Sequence, residues 1–285
     1  MKNQYGFTRF DTLKEFKDWL TKQPKYNYNG LQVHHTYMPS YTNFYKSDGS
    51  HEDELTRQYN MKQFHVNTNH WGDIAQHFTI FPNGKIVTGR KLSNTQAIGI
   101  RGWNSNKICI EIYGNFDKGK DKMKPVQKEA VIALYGELCK KFDIPVNTSH
   151  IRPHCWFTAG GSYLGKYDLN RSAKTCPGTN FMGYGCSPSG FAKFINKVKN
   201  YVNGKEAPKD ETKPASFKQY IAKPTVDGLV GRKGPGVEYD KVTLIDTDIA
   251  VTIIGEYKAK DGGTWLKCKA GYYVNKKYMK FVRYV

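Results

Sequence analysis

Long apolar runs are missing from this 285-residue chain. Nowhere do about 18 apolar residues follow one another, so no membrane-spanning helix is expected. The first twenty residues, MKNQYGFTRFDTLKEFKDWL, contain neither an apolar core segment nor a small-residue cleavage site. That argues against a secretory signal and predicts synthesis and first residence in the cytoplasm. Cysteine is sparse, six in the whole chain, and without an export signal these are not read as a disulfide framework. Acidic residues are few as well: 25 Asp and Glu stand against 44 Lys and Arg, for a formal net charge of +19. Such an excess points to a polyanionic partner. The lysines are spread along the chain with no helix-turn-helix, zinc-finger or RNA-binding signature, so nucleic acid is not the expected partner.

Hydrophobic residues at 39% and aromatics at 14% describe a globular protein, with length enough for one medium and one small domain. Apolar periodicity predicts helices over 11–20, 125–142 and 188–202, and one running from Met61 toward His70. Short strands are expected over 31–35, 74–81 and 107–114. Pro82-Asn83-Gly84 turns the second of these back into 85–90. Residues 40–58, polar and Tyr-rich, read as a loop and a binding rim. Strands alternating with helices predict an α/β domain, a mixed central sheet flanked by helices, over 1–203.

Residues 204–216, charged and carrying two prolines, read as a linker. Beyond them, over 217–285, short strands at 242–245, 249–254, 264–268 and 272–274 alternate with Gly and Asp turns and predict a small all-β barrel.

The residues that carry chemistry gather around Ser149–Gly178. This stretch begins with His150 and His154 and ends on Lys174-Thr175-Cys176-Pro177-Gly178. Only Cys176, near Lys174 and before Pro-Gly, sits where a loop can present a thiolate. Upstream, Val33-His34-His35-Thr36 supplies a further imidazole. Two neutral imidazoles and one thiolate leave one tetrahedral position open, the arrangement of a catalytic zinc site. In the strand over 107–114, Ile108, Ile110 and Ile112 share one face and Cys109, Glu111 and Tyr113 the other. Period-two parity likewise puts His34 opposite the Leu31, Val33 and His35 row. Glu111 is either salt-bridged to a cation or a working general base beside a metal. His34 and Glu111 can then face one cleft.

Three blocks in order, His34-His35-Thr36-Tyr37-Met38-Pro39, Ile110–Phe116 (IEIYGNF) and Lys174–Gly178 (KTCPG), resemble type-2 N-acetylmuramoyl-L-alanine amidases. These are zinc hydrolases of bacterial cell wall related to the peptidoglycan-recognition proteins. The resemblance covers roughly residues 25–200. It implies His34, rather than His35, and Cys176 as zinc ligands. The Ile-Arg-Pro-His run favours His154 as the third, with His150 the alternative. It also implies Glu111 as the base, with Lys174 stabilising charge on the amide oxygen. Relatives that use a Tyr base carry it where this chain has Gln76. The bond implied lies between N-acetylmuramic acid and L-alanine of peptidoglycan.

Gly231–Gly236 (GRKGPG), Trp265-Leu266-Lys267 and Gly271-Tyr272-Tyr273-Val274 resemble a bacterial SH3-like wall-binding domain. There Tyr239, Tyr272 and Tyr273 are candidates to line a ligand groove. Together the two resemblances describe a phage-type endolysin of Gram-positive walls. Peptidoglycan is the expected partner, and anionic wall polymers suit the positive charge. A non-catalytic peptidoglycan-binding protein and a zinc endopeptidase of the stem peptide are the alternatives.

Overall fold

A computed structural model describes residues 1–48, 50–205, 219–259 and 263–285. The chain divides into two compact units, Met1–Thr212 and Lys213–Val285. From residue 206 to 216 the predicted linker lies outside the described residues.

The first unit contains, in order, β1 (Lys2–Gln4), β2 (Phe7–Phe10), α1 (Leu13–Thr21), β3 (Gly30–His35), α2 (Tyr41–Phe44) and α3 (Glu54–Gln63). These are followed by β4 (Phe78–Ile80), β5 (Ile86–Thr88), β6 (Lys107–Ile112), α4 (Pro125–Phe142), β7 (Ile151–Pro153) and α5 (Pro188–Val202). The strands form one mixed sheet in the order β1-β2-β5-β4-β6-β3-β7. The half from β4 through β6 and β3 to β7 is parallel, and the N-terminal half is antiparallel. This is the mixed α/β sandwich expected from the alternation of strands and helices.

The sheet's two faces differ because its strands alternate. Leu31, Val33, Ile108, Ile110 and Ile112 are fully buried in the main core with Phe16 of α1, Leu134 and Leu138 of α4, and Phe191 and Phe194 of α5. Pro125 opens α4, where its missing N–H costs nothing, and Asp143 closes it in a left-handed conformation. The helical layer thus consumes one face of the sheet. The opposite face carries Gln32, His34, Thr79 and Glu111 together with a smaller core of Phe44, Leu55, Ile74, Phe81 and Tyr113.

In the first unit, three features depart from the pattern-based reading. A hairpin, β1 with β2, precedes α1, while α2 lies within, and α3 begins inside, the stretch 40–58 expected to be loop. Asp53 caps α3 by accepting from the Thr56 amide. The buried face of the helix includes Glu54 and Gln58, so polar residues conceal its apolar period. Glu54 is fully buried and paired with Arg9 of β2 at 2.9 Å and Lys85 at 3.4 Å. These pairs tie the N-terminal hairpin to α3.

The second unit is a seven-stranded antiparallel sheet, ordered β10-β9-β13-β12-β11-β8-β14. Its strands are β8 (Tyr220–Pro224), β9 (Leu229–Arg232), β10 (Lys241–Ile245), β11 (Val251–Lys258), β12 (Thr264–Cys268), β13 (Tyr273–Asn275) and β14 (Met279–Tyr284). Ala222, Leu229, Ile245, Ile253, Leu266 and Val274 form its core.

His77, just before β4, is fully buried. Its Nδ1 accepts from the Cys109 amide, and its Nε2 faces the Asn94 carbonyl at 2.9 Å. Burial pushes its pKa down to about 4. The unfolded chain therefore binds a proton that the folded chain refuses between about pH 6.5 and pH 4. Stability gained by keeping His77 neutral is complete above that window and lost as pH falls through it. Denaturant melts across the window should show His77→Gln removing up to about 1.4 kcal/mol per pH unit from the slope of stability against pH.

Candidate metal centre and its cleft

The parallel pairing of β3 with β6 sets His34 beside Glu111, and the pairing of β4 with β6 sets Thr79 on the other side of Glu111. Neighbours in register share a face, so these three side chains form a row across the sheet. Beyond β3, strand β7 ends at Pro153 and passes into a single helical turn, His154–Trp156. This turn brings His154 over His34, with ring centroids 5.0 Å apart.

Cys176 arrives from the far end of the long loop. Its carbonyl accepts from the Cys155 amide at 2.6 Å, and its sulfur receives the His35 amide at 3.3 Å. Asp117 fixes the same loop, accepting from the Thr175 hydroxyl and the Thr179 amide, both at 2.9 Å. One donor atom each from His34, His154 and Cys176 falls within 4.8 Å of the others. His150, the alternative ligand, is turned away, with Nδ1 2.9 Å from the Asn147 side-chain oxygen.

The donor set fits zinc. Tetrahedral Zn–N and Zn–S bonds separate the two ligand atoms by about 3.6 Å, and His34 Nδ1 lies 3.5 Å from the Cys176 sulfur. Burial, with the nearby His154 and Lys174, depresses the His34 pKa well below normal. Burial and Lys174 bring His154 down to about 4. Both imidazoles are therefore neutral and able to coordinate at physiological pH. Burial and Glu111 raise the Cys176 thiol, which a cation at the site would reverse.

Gln32 is a site residue that the pattern analysis left without a role. Its Nε2 donates to the Trp103 carbonyl and to Asn104 Oδ1, which leaves Oε1 to face His34 Nε2 at 3.3 Å. A proton on Nε2 leaves Nδ1 free for the metal, the outer support that ligand histidines commonly carry. Gly99 seals this contact. A Cβ there would sit 2.2 Å from Gln32 Oε1 and 2.7 Å from His34 Nε2. The only sequence signal was parity, which puts Gln32 and His34 on the same face.

Glu111 is half-buried, with its Oε2 shielded from solvent, and desolvation lifts its carboxyl to about 8, against the opposing pull of Lys174. Its Oε2 has no hydrogen-bond partner, and neither has Oε1 of Gln76. No salt bridge to Glu111 occurs among the described residues, so the structural alternative for this carboxylate lacks its cation. Lys174 is exposed and lines the cleft with His34, His154 and Cys176, a space of about 640 Å3. A second space of about 400 Å3 shares Thr36, Met38, Phe64, His65 and Glu111 with the first, and continues along α3 past Arg57 and Asn60. Exposed Tyr37, Met38, Phe64 and Trp71 form the rim. Phe64 opens a π-helical turn, Phe64–Thr68, that extends α3, an irregularity frequent at functional sites. None of these four rim residues falls in the stretch 40–58 expected to bind: Tyr37 and Met38 follow β3, Phe64 continues α3, and Trp71 follows the π-helical turn.

A family model described as N-acetylmuramoyl-L-alanine amidase matches residues 24–179, more than half of the chain. The chain belongs to the N-acetylmuramoyl-L-alanine amidase family. It is 32% identical over 85 residues to peptidoglycan-recognition protein 2 of Holotrichia diomphalia, a match spanning 30% of this chain and 41% of that protein. Among solved structures it is similar to the N-acetylmuramoyl-L-alanine amidase LysC from Clostridium intestinale, at 22% identity and a TM-score of 0.40. That likeness covers 62% of this chain and 91% of the other. It is also similar to Drosophila PGRP-LB, at 24% identity and a TM-score of 0.35, over 45% of this chain and 75% of the other. Within this amidase-family chain, the family match covers all three members of the His34, His154, Cys176 group as well as Glu111 and Lys174.

The three tyrosines proposed for the second unit sit in different surroundings. Tyr239 is exposed at 39%. Tyr272 packs against the core, and Tyr273 lies edge-on to Tyr257 at 5.3 Å.

If Gln32 holds His34 in its ligating tautomer, Gln32→Leu should weaken zinc binding by about 10- to 100-fold. Competition titration against a fluorescent chelator measures this directly, with a far-ultraviolet spectrum to check that the fold is kept.

Proposed function

We propose that the chain is a zinc-dependent amidase that cuts between the lactyl group of N-acetylmuramic acid and L-alanine in peptidoglycan. The observation carrying this reading is the three-donor group of His34, His154 and Cys176 beside a half-buried Glu111 without an ion-pair partner among the described residues, at the floor of an open cleft. A zinc ion on those donors supplies a Lewis acid for the amide carbonyl and acidifies water at the open position. Glu111 is the proton carrier. A carboxyl raised to about 8 exchanges protons near neutral pH, where acid–base catalysis is most effective. It takes the proton of the attacking water and returns it to the leaving amine. Lys174 brings positive charge to the same cleft and stabilises the negative charge growing on the carbonyl oxygen.

The exposed apolar rim of Tyr37, Met38, Phe64 and Trp71 suits the non-charged parts of a glycopeptide. The second unit, with its antiparallel sheet and SH3-like motifs, serves as the wall anchor, and the net charge of +19 draws the protein to anionic wall polymers. The whole architecture is that of an endolysin of phage type acting on Gram-positive walls.

Purified Gram-positive walls incubated with the protein should release new L-alanine amino termini, lose that activity with a zinc chelator and regain it with zinc. Glu111→Gln should lower the rate by about 10²- to 10⁴-fold while the zinc content stays stoichiometric. New amines from a residue other than alanine would make the protein an endopeptidase. Wall binding without any new amine would leave a recognition protein in place of an enzyme.

A further inference from the structure

Gln76 lies where its amide oxygen has no partner. Its backbone is fixed, the carbonyl accepting from the Arg90 amide at 2.8 Å, and its side chain is bent over β4, with Nε2 donating to Thr79 Oγ1 at 2.9 Å. Thr79 is the register neighbour of Glu111. Gln76 and Glu111 also line the same arm of the cleft, the one that runs past α3. Gln76 is fully buried, and both its Oε1 and Glu111 Oε2 are orphaned acceptors. Leaving a buried acceptor unsatisfied costs about 1–3 kcal/mol, so two such oxygens on residues lining one arm of the cleft call for a ligand that brings donors. A carbonyl, ether or ester oxygen cannot satisfy the Gln76 oxygen, which only accepts, whereas an amide N–H, an amine or a hydroxyl can.

We infer that Gln76 Oε1 accepts a hydrogen bond from the N–H of the scissile amide, so that the chain selects substrates whose leaving group is nitrogen. This rests on the amidase reading above, in which Glu111 returns a proton to that same nitrogen. The two oxygens then hold one atom between them. Glu111 gives the nitrogen its new proton, and Gln76 holds the proton already there. The stem peptide that continues from this nitrogen runs into the α3 arm, toward Arg57 and Asn60.

A pair of soluble fragments tests this, an N-acetylmuramoyl-L-alanyl peptide and its depsipeptide analogue with L-lactate replacing L-alanine. The analogue has an ester oxygen at the scissile position and no N–H to donate. Zinc-loaded wild type and Gln76→Met, which keeps the length of the side chain but offers no acceptor oxygen, are assayed on both by mass spectrometry. The variant should lose about tenfold in kcat/KM on the amide, the size of one hydrogen bond, and stay within about twofold on the ester. Equal losses on both substrates would mean that Gln76 only supports the fold, and an unchanged amide rate would mean that it touches no substrate. Either result overturns the inference. If Gln76→Met does not fold, Gln76→Asn, which withdraws the oxygen by one methylene, carries the same comparison. A wild-type protein that releases no alanine amine from the amide fragment removes the amidase reading itself, a result separate from any effect of Gln76.

Discussion

The backbone ladder between β3 and β6 is the constraint on which the site depends. Parallel pairing at one fixed register sets His34 against Glu111, and a slip of β3 by one residue would turn His34 into the helical layer, away from Glu111. The register is held by the opposite face. Leu31, Val33, Ile108, Ile110 and Ile112 have no exposed surface and meet α1, α4 and α5, so any slip would expose apolar side chains and bury His34 among them. The packing of the core thus determines which atoms face the cleft. The strand that delivers His154, β7, takes its register from β3 as well, and His154 follows directly at its end.

The same burial that fixes the geometry also sets the protonation. His34, His35, His77 and His154 all have depressed pKa values, burial being the largest cause in each. Glu111 is raised by the same effect. Desolvation pushes acids and bases in opposite directions, toward neutrality. Neutral imidazole is the form that binds metal, and a carboxyl of raised pKa is the form that shuttles protons near pH 7. One environment therefore prepares both kinds of group, and Lys174 at the edge of the cleft adds positive charge without itself being buried.

What could be read from the sequence was whatever period-two and period-3.6 patterns express. The apolar rows of β3 and β6, the faces of α1, α4 and α5, and the placement of His34 and Glu111 opposite their rows all follow from local alternation. The start of helix α3 was hidden because Glu54 and Gln58 occupy buried positions, where ion pairs of Glu54 with Arg9 and Lys85 and a hydrogen bond from Gln58 Nε2 to the Thr88 carbonyl take the place of apolar contact. The choice between His150 and His154 was open because both flank a three-residue strand. In the structure Asn147 holds the first, and β7 delivers the second to the group with His34 and Cys176. The roles of Gln32 and Gln76 were not legible for a related reason, although the resemblance marked Gln76 as the place where some relatives carry a Tyr. A glutamine's role is set by which of its two ends is already occupied, and the occupying groups, Trp103 and Asn104 for one and Thr79 for the other, are distant in sequence or on a different turn of chain.

Those two glutamines also divide the labour of the site. Gln32 has its amide nitrogen spent on two carbonyl oxygens, so its oxygen can face only the ring of His34, and it acts on the metal side. Gln76 has its nitrogen spent on Thr79 and its oxygen left bare beside Glu111, so it acts on the substrate side. In both, an internal bond to the NH2 group decides that the outward group is an acceptor. An acceptor toward His34 Nε2 keeps the proton there and the lone pair on Nδ1. An acceptor beside Glu111 favours a nitrogen leaving group over an oxygen one. A hydroxyl at either position could rotate to donate instead and would hold neither preference. The amide, once anchored through its nitrogen, has no such freedom. Preference for amide over ester is then a property of the fold itself, built from the same strand register that brings His34 to Glu111.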